Sequence, residues 1–358
     1  MQEIKVRIVG DYSNEQIISW LKQQSHLGDC SYYSKGYKIL YTTQDIPTDY
    51  TILINKVNQD TPVQSSSIWG IQQEPFIPGH FKYIIPFKNE FAKNPETYAQ
   101  CSKVFAFVPE LLECDSKFIP SPPYLYWLVD GWKRTLNFQE IKHLHLEKNK
   151  EISCIANTDK KAFPGHIQRS EFVNFLKTTQ LPIDYFGGEK KHNTIPTKLE
   201  ALQDYRYSIA IENSSTPFYF TEKITDCFLA GCMPFYYGAE NIADFFPKES
   251  FVWIDITKPQ EAQKIIQSVL KDKLWEKNQD FILEARRRVL EDYNFLQAMG
   301  EKIIQHFQTL PPPSHTSNKT NTIIKGYKRS FGISVLRNLQ RLIFILLQPF
   351  RFFIKENS

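Results

Sequence analysis

The feature that most constrains this chain is an alternation of short apolar runs with amphipathic stretches, which occurs in both halves. Residues 4–9, 50–55, 68–72 and 103–108 read as strands, and 15–24 reads as a helix with Ile17, Ile18 and Leu21 on one face. The second half restarts the pattern. Strands are predicted at 151–157, 207–212, 233–237 and 251–255, and helices at 170–176, 222–230 and 259–270. A long helix is predicted over 274–310, ended by Pro311-Pro312-Pro313, because proline lacks the amide donor and clashes with the preceding turn. Such alternation predicts an α/β protein whose mostly parallel sheets are covered on both faces. With 358 residues, about two domains are expected. The lysine-rich stretch 142–151 separates them, giving domains 1–148 and 149–310 and a segment 311–358. Two such domains leave a cleft at the carboxyl ends of their strands, where open α/β sheets bind ligands.

Composition excludes several classes. A hydrophobic content of 42% rules out a disordered chain. Six cysteines without a CxxC pair rule out a disulfide scaffold and read as buried thiols of a reducing cytoplasm. A net charge of +4 gives no argument for nucleic acid, and none is expected as a partner. No basic-then-apolar leader and no apolar run of 18 residues is seen, so neither a signal peptide nor a spanning helix is expected. The charge is uneven: from Lys319 onward there are eight Lys or Arg against one acid, Glu356.

The most informative stretch is 205–255. A buried strand around Ile209 and Ile211 delivers Glu212 and Asn213 at its end. Thr221 then stands in N-cap position, Glu222 and Lys223 occupy the first helical turn, and Gly231 stops the helix. A helix N-terminus suits an anion, and Lys223 there adds a full positive charge to a place the dipole alone disfavours for cations. A bound phosphate explains it. A capped surface helix with a solvated Glu-Lys pair is the alternative.

This stretch resembles the donor-binding signature of glycosyltransferase family 10, the α-1,3/4-fucosyltransferases, in its bacterial type. The resemblance is carried by Glu212-Asn213-Ser214, Tyr219-Phe220-Thr221-Glu222-Lys223, Gly231-Cys232-Met233-Pro234 and Pro247-Lys248-Glu249-Ser250-Phe251, in order and at matching spacing. It implies a GT-B fold, two Rossmann-like domains facing a central cleft, with GDP-fucose as donor. Arg169, ahead of a helix containing Phe172 and Leu176 and followed later by Gly187-Gly188, looks like the family's phosphate-binding arginine. A solvated surface arginine is the alternative. The N-terminal domain is then expected to bind the acceptor and supply a catalytic carboxylate. Glu74, after an apolar strand and held extended by Pro75, is the candidate; Glu90, Glu96 and Glu110 are less well placed.

The implied reaction inverts the anomeric carbon. Glu74 takes the acceptor proton while Arg169 and Lys223 meet the charge that grows on the leaving diphosphate. Asn213 and Tyr219 serve as neutral hydrogen-bond partners and Glu222 holds ribose or sugar hydroxyls. No cofactor is required beyond the donor substrate; without an Asp-x-Asp motif, a divalent cation would at most stimulate. His143 and His145 read as a surface pair. The segment 325–355 interleaves basic residues with Leu336, Leu339, Leu342, Phe344 and Phe353, as an amphipathic helix on an anionic membrane would. The expected partners are therefore GDP-fucose, an oligosaccharide or lipid-linked glycan acceptor of GlcNAc type, and that membrane. The expected location is cytoplasmic, on the inner face, in lipopolysaccharide synthesis. The alternatives are a transferase for another nucleotide sugar, or a catalytically silent nucleotide- or glycan-binding subunit.

Overall fold

The computed structural model describes residues 1–76, 89–125, 127, 129–130, 134–158, 164–187, 197–310, 319–328, 335, 339 and 342. Gly188, Pro311-Pro312-Pro313 and most of the basic tail lie outside the described residues.

The first sheet is built from β1 (Gln2–Gly10), β2 (Ser31–Ser34), β3 (Tyr37–Thr42), β4 (Thr48–Ile54), β5 (Thr61–Ile71), β6 (Lys103–Ala106) and β7 (Phe118–Pro120), in the order β2-β3-β1-β4-β5-β6-β7. All neighbours are parallel except the β2–β3 hairpin. Helix α1 (Asn14–Gln24) starts at Ser13, whose capping box with Gln16 satisfies two otherwise orphaned amides. It packs Ile17, Trp20 and Leu21 on one face of the sheet. The hairpin was not expected from sequence; its strands carry too many tyrosines and serines for a clean period of two.

The second sheet contains β10 (Lys150–Ile155), β11 (Ile183–Phe186), β12 (Tyr205–Ile211), β13 (Met233–Tyr237) and β14 (Val252–Trp253), all parallel, in the order β11-β10-β12-β13-β14. Two small strands, β8 (Val129–Asp130) and β9 (Arg134–Thr135), pair outside both sheets. Helices α4 (Pro164–Leu176) and α6 (Pro259–Asp272) cover one face of the second sheet. Helices α5 (Glu222–Leu229) and α8 (Gln279–Leu290) cover the other. The doubly covered parallel sheets of the sequence expectation are therefore present twice.

The long helix expected over 274–310 is instead three: α7 (Leu274–Lys277), α8 and α9 (Phe295–Thr309). Lys273 adopts a left-handed φ of 51°, and Asn294 caps α9 by accepting from the Leu296 and Gln297 amides. The last helix leaves the second sheet and returns to the first. Phe295, Leu296, Met299, Ile303 and Ile304 are buried against α1 and the first sheet. The Asn294 side chain donates to Gln24 O at 2.9 Å, and Glu301 receives Tyr32 Oη and Lys35 Nζ at 2.7 and 2.8 Å. The chain then adds a further strand, β15 (Thr320–Ile324), antiparallel to the first half of β5. The segment 311–358, set apart in the sequence, thus contributes a strand to the first sheet from Thr320 onward.

Among the cysteines, Cys114 departs from expectation: it is exposed, while the other five are buried, and all six are free. His143 and His145 are both exposed, as expected.

Candidate active site

In each sheet the strand order reverses at one place, and that is where such sheets open a crevice at their carboxyl ends. In the second sheet the reversal lies between β10 and β12. Arg169 bridges it: Nη1 donates to Asn213 Oδ1 at 2.8 Å, just past β12, and Nη2 donates to Asn157 O at 3.3 Å, just past β10. Sequence reading put Arg169 ahead of its helix. It stands inside α4, which begins at Pro164, whose fixed φ suits a first helical turn. Arg169 is 8% exposed, and its buried Nε has no hydrogen-bond partner among the described residues. Burial lowers its pKa, but a guanidinium keeps its charge in any protein setting. The helix start lies close to Asn213: a Cβ on Gly165 would fall 2.0 Å from Asn213 O, so only glycine fits there.

The start of α5 completes this crevice. Glu212, fully buried, accepts the Thr221 backbone N–H at 2.8 Å and faces the Thr221 hydroxyl and Lys223 Nζ at 2.8 and 3.1 Å. Burial raises its pKa more than Lys223 and Thr221 lower it. Thr221 is the N-cap, as its position in the sequence implies. Burial works against the Lys223 charge, yet Glu212 and Glu222 together outweigh it and raise its pKa. For Glu222 the balance goes the other way. Burial opposes ionisation, but Lys223 and Lys198 pull its pKa down to about 2. Lys198 Nζ lies 3.6 Å from Glu222 and 3.1 Å from Asp226. The Glu-Lys pair is thus a mostly covered network of alternating charges, not a solvated pair on a surface helix. Gly231 follows the helix with φ at 74°, the left-handed C′ conformation expected for it.

Tyr219 joins this crevice to the first domain. Its ring stacks on Phe107, just past β6, with centroids 5.0 Å apart, and Val108, Phe76 and Phe218 complete a small apolar cluster. Burial, then Glu212, Glu74 and Glu222, push its pKa well above the ordinary phenol range, so it keeps its proton. Phe76, two residues past Glu74, packs in the same cluster as Tyr219 and Phe107.

Glu74 follows β5 directly. Its backbone N–H donates to Asn55 Oδ1 at 3.1 Å, and its carboxylate accepts Asn89 Nδ2 at 3.0 Å. The two glutamines before it are locked. Gln72 Oε1 accepts the Phe107 and Val108 amides at 3.0 and 3.1 Å, and Gln73 Nε2 donates to Tyr124 O at 3.1 Å. Glu96 and Glu110 are exposed, and Glu90 is buried at the start of the short 3-10 turn Glu90–Lys93.

The structure thus joins Arg169 to Asn213 at the end of β12, sets Glu222 and Lys223 in the first turn of α5 with Glu212, packs Tyr219 against Phe107 of the first domain, and holds Glu74 through Asn55 and Asn89. Sequence reading did not assign Lys198, Asn157, Asn55 or Asp11, nor the pairing of Glu212 with Thr221 and Lys223. Glu212 had a visible signal, a carboxylate at the end of an apolar strand. The others sit at loop positions whose neighbours come from distant segments.

Residues 146–279 match the family model described as glycosyltransferase family 10 (fucosyltransferase) C-terminal domain. Arg169, Glu212, Asn213, Tyr219, Glu222 and Lys223 all lie in that stretch. The fold and the match together define a GT-B-type glycosyltransferase architecture. Among curated relatives, the α-(1,3)-fucosyltransferase FucT of Helicobacter pylori is 27% identical over 125 residues, 31% of this chain and 26% of that protein. The 4-galactosyl-N-acetylglucosaminide 3-α-L-fucosyltransferase 9 of Rattus norvegicus is 27% identical over 251 residues, 68% of this chain and 59% of its own length. The chain thus spans less than two thirds of these relatives. A crystal structure of an α1,3-fucosyltransferase with GDP-fucose superposes with a TM-score of 0.51 at 16% identity, covering 91% of this chain and 93% of that one. That likeness shows the shared fold.

Proposed function

We propose that this chain is an inverting fucosyltransferase that moves L-fucose from GDP-fucose to a hydroxyl of a GlcNAc-type glycan. The observation that carries the reading is buried Arg169, tied to both strand ends of the second sheet's crevice, with its Nε left without a hydrogen-bond partner among the described residues. In the proposed reaction the acceptor O–H gives its proton to Glu74 as its oxygen forms a bond to the anomeric carbon. The bond from that carbon to the β-phosphate oxygen breaks, and its electron pair leaves with GDP. Negative charge grows on the phosphate at the moment of transfer. Fixed cations placed there lower the barrier more than they tighten the ground state. Arg169, with its orphaned buried Nε, and Lys223 are positioned for this. Arginine's planar fork suits two phosphate oxygens at once. Tyr219 and Asn213 act as neutral donors, and Glu222, held ionised by two lysines, accepts from sugar hydroxyls. The reading requires no resident metal or cofactor, so chelation by EDTA should leave most of the rate.

The same reading puts the chain in the cytoplasm, with its C-terminal segment on an anionic membrane and a lipid-linked glycan of a surface polysaccharide, such as lipopolysaccharide, as acceptor. Supporting it are Val335, Leu339 and Leu342, which are helical and exposed at the spacing of one helix face, within a segment of strong positive charge. No helix among the described residues is long and apolar enough to cross a membrane. Co-sedimentation with phosphatidylglycerol vesicles but not phosphatidylcholine vesicles, lost on removal of 329–358, is the expected result. Equal sedimentation with both lipids overturns the electrostatic part.

The donor is tested by GDP release from GDP-fucose, GDP-mannose and UDP-N-acetylglucosamine by the full chain. Release from GDP-fucose alone is expected. Preference for another nucleotide sugar changes the donor, and binding of GDP without turnover of any of them points to the silent-subunit reading.

A further inference from the structure

The first sheet also reverses its strand order once, between β1 and β4. The two strand ends there approach closely: a Cβ on Gly10 would lie 2.7 Å from Ile54 O. The next residue on each strand is Asp11 and Asn55. Asn55 is fully buried and has a left-handed φ of 56°, a conformation asparagine tolerates better than most residues. Its own N–H donates to Ile71 O at 2.8 Å, tying it to the end of β5. Its side-chain oxygen accepts two successive amides, Gln73 N at 2.8 Å and Glu74 N at 3.1 Å. Two donors facing one atom fix which end of the amide is oxygen. The nitrogen therefore faces Asp11, donating to Oδ1 at 3.1 Å. Asp11 is half-buried, and its remaining charge neighbour is Lys56.

We propose that Asn55, oriented by Asp11, is the positioning residue for Glu74: it clamps the backbone of Glu74 so that the carboxylate stands at the first sheet's crevice, opposite the donor. Asn89, also left-handed at φ 59°, steadies the carboxylate from the other side through its 3.0 Å bond. The two crevices are thus built alike. In each, a side chain bridges the reversing strand ends, Arg169 in the second domain and the Asn55–Asp11 pair in the first. This inference rests on Glu74 being the base. Strained conformers held by their surroundings cluster at such sites, which is why the pair is placed in the chemistry rather than in the scaffold alone.

The test uses the full-length chain with GDP-fucose and water as acceptor, so that no glycan need be known. Asn55→Gly keeps the left-handed backbone and removes only the clamp. Turnover should fall about 100-fold, the loss expected for a reacting group displaced by about 1 Å, while GDP affinity stays within twofold. Asn55→Asp alone sets two carboxylates against each other, whereas Asp11→Asn alone still offers an amide oxygen to Asn55 Nδ2 and should stay within about fivefold of wild type. The double exchange, Asp11→Asn with Asn55→Asp, restores donor to acceptor and should recover turnover to within about fivefold of wild type. Hydrogen exchange of the Gln73 and Glu74 amides is the second readout: fast in Asn55→Gly, protected again in the double exchange. Turnover in Asn55→Gly within threefold of wild type, or a double exchange no better than Asn55→Asp, overturns the proposal. Glu74→Gln separates the two readings. If it turns over normally, Glu74 is not the base, whatever the exchange data show of the clamp.

Discussion

Buried Arg169 is tied to both strand ends of the second crevice by bonds that lysine cannot reproduce, since an ammonium lacks the fork. Arg169→Lys should reduce kcat/KM for GDP-fucose by at least about 100-fold, measured by GDP release. Glu222 gives a pH signature. Its pKa falls to about 2 in the fold from an ordinary 4.5, so its ionisation stabilises the native state fully above about pH 4.5 and that contribution fades as pH falls toward 2. Glu222→Gln should therefore flatten acid unfolding across that window, followed by circular dichroism; an unchanged acid limb contradicts the network. At this scale much was legible. Glu212, Asn213, Tyr219, Thr221, Glu222 and Lys223 lie within twelve residues, and strand end, cap and first turn can be read in order. Lys198 and Asn55 were not legible, because what gives each its place is a partner far away in sequence, Asp226 for one and Asp11 and Gln73 for the other.

The start of α5 is the element on which donor binding turns. Thr221 satisfies an orphan amide of the helix while its own N–H and hydroxyl go to Glu212. Thr221→Val keeps the shape and removes the hydroxyl. It should cost about 1–3 kcal/mol, a lost cap and a buried carboxylate short of a donor, read by urea unfolding, and it should weaken GDP binding as Lys223 loses a partner. The strand β15 shows the converse. Its five residues look like linker in sequence, since only Ile323 and Ile324 are apolar. Pairing with β5 gives them structure, and Ile324 becomes fully buried. Ending the chain at 310 should lower Tm by on the order of 5 °C; no change contradicts β15 as part of the sheet. The breaks in the expected long helix were hidden for a similar reason. The sequence between 274 and 310 holds no proline, and the turns come at Asn278, which leaves helical geometry at φ −114° and ψ 25°, and at Asn294, whose amide bonds to Gln24 in the first domain.

For the whole molecule, the repeated β/α alternation was enough to predict two covered parallel sheets, because burial on both faces leaves its mark in every strand. What alternation does not carry is how the two units are joined. Helix α9 belongs to the second half by sequence and to the first by packing, burying five large side chains there at about 1.5–3 kcal/mol each. Helix α9 thereby ties the second half of the chain to the first sheet, and Tyr219 against Phe107 is a second contact between the two. The measurement that bears most directly on this arrangement is GDP release from GDP-fucose by the full chain, with Glu74→Gln and Arg169→Ala beside wild type and GDP binding followed by calorimetry. The expected result is turnover of GDP-fucose by wild type, its loss in Glu74→Gln with GDP binding intact, and loss of both in Arg169→Ala. Turnover undiminished in Glu74→Gln, or GDP binding undiminished in Arg169→Ala, would contradict the division of work between the two domains.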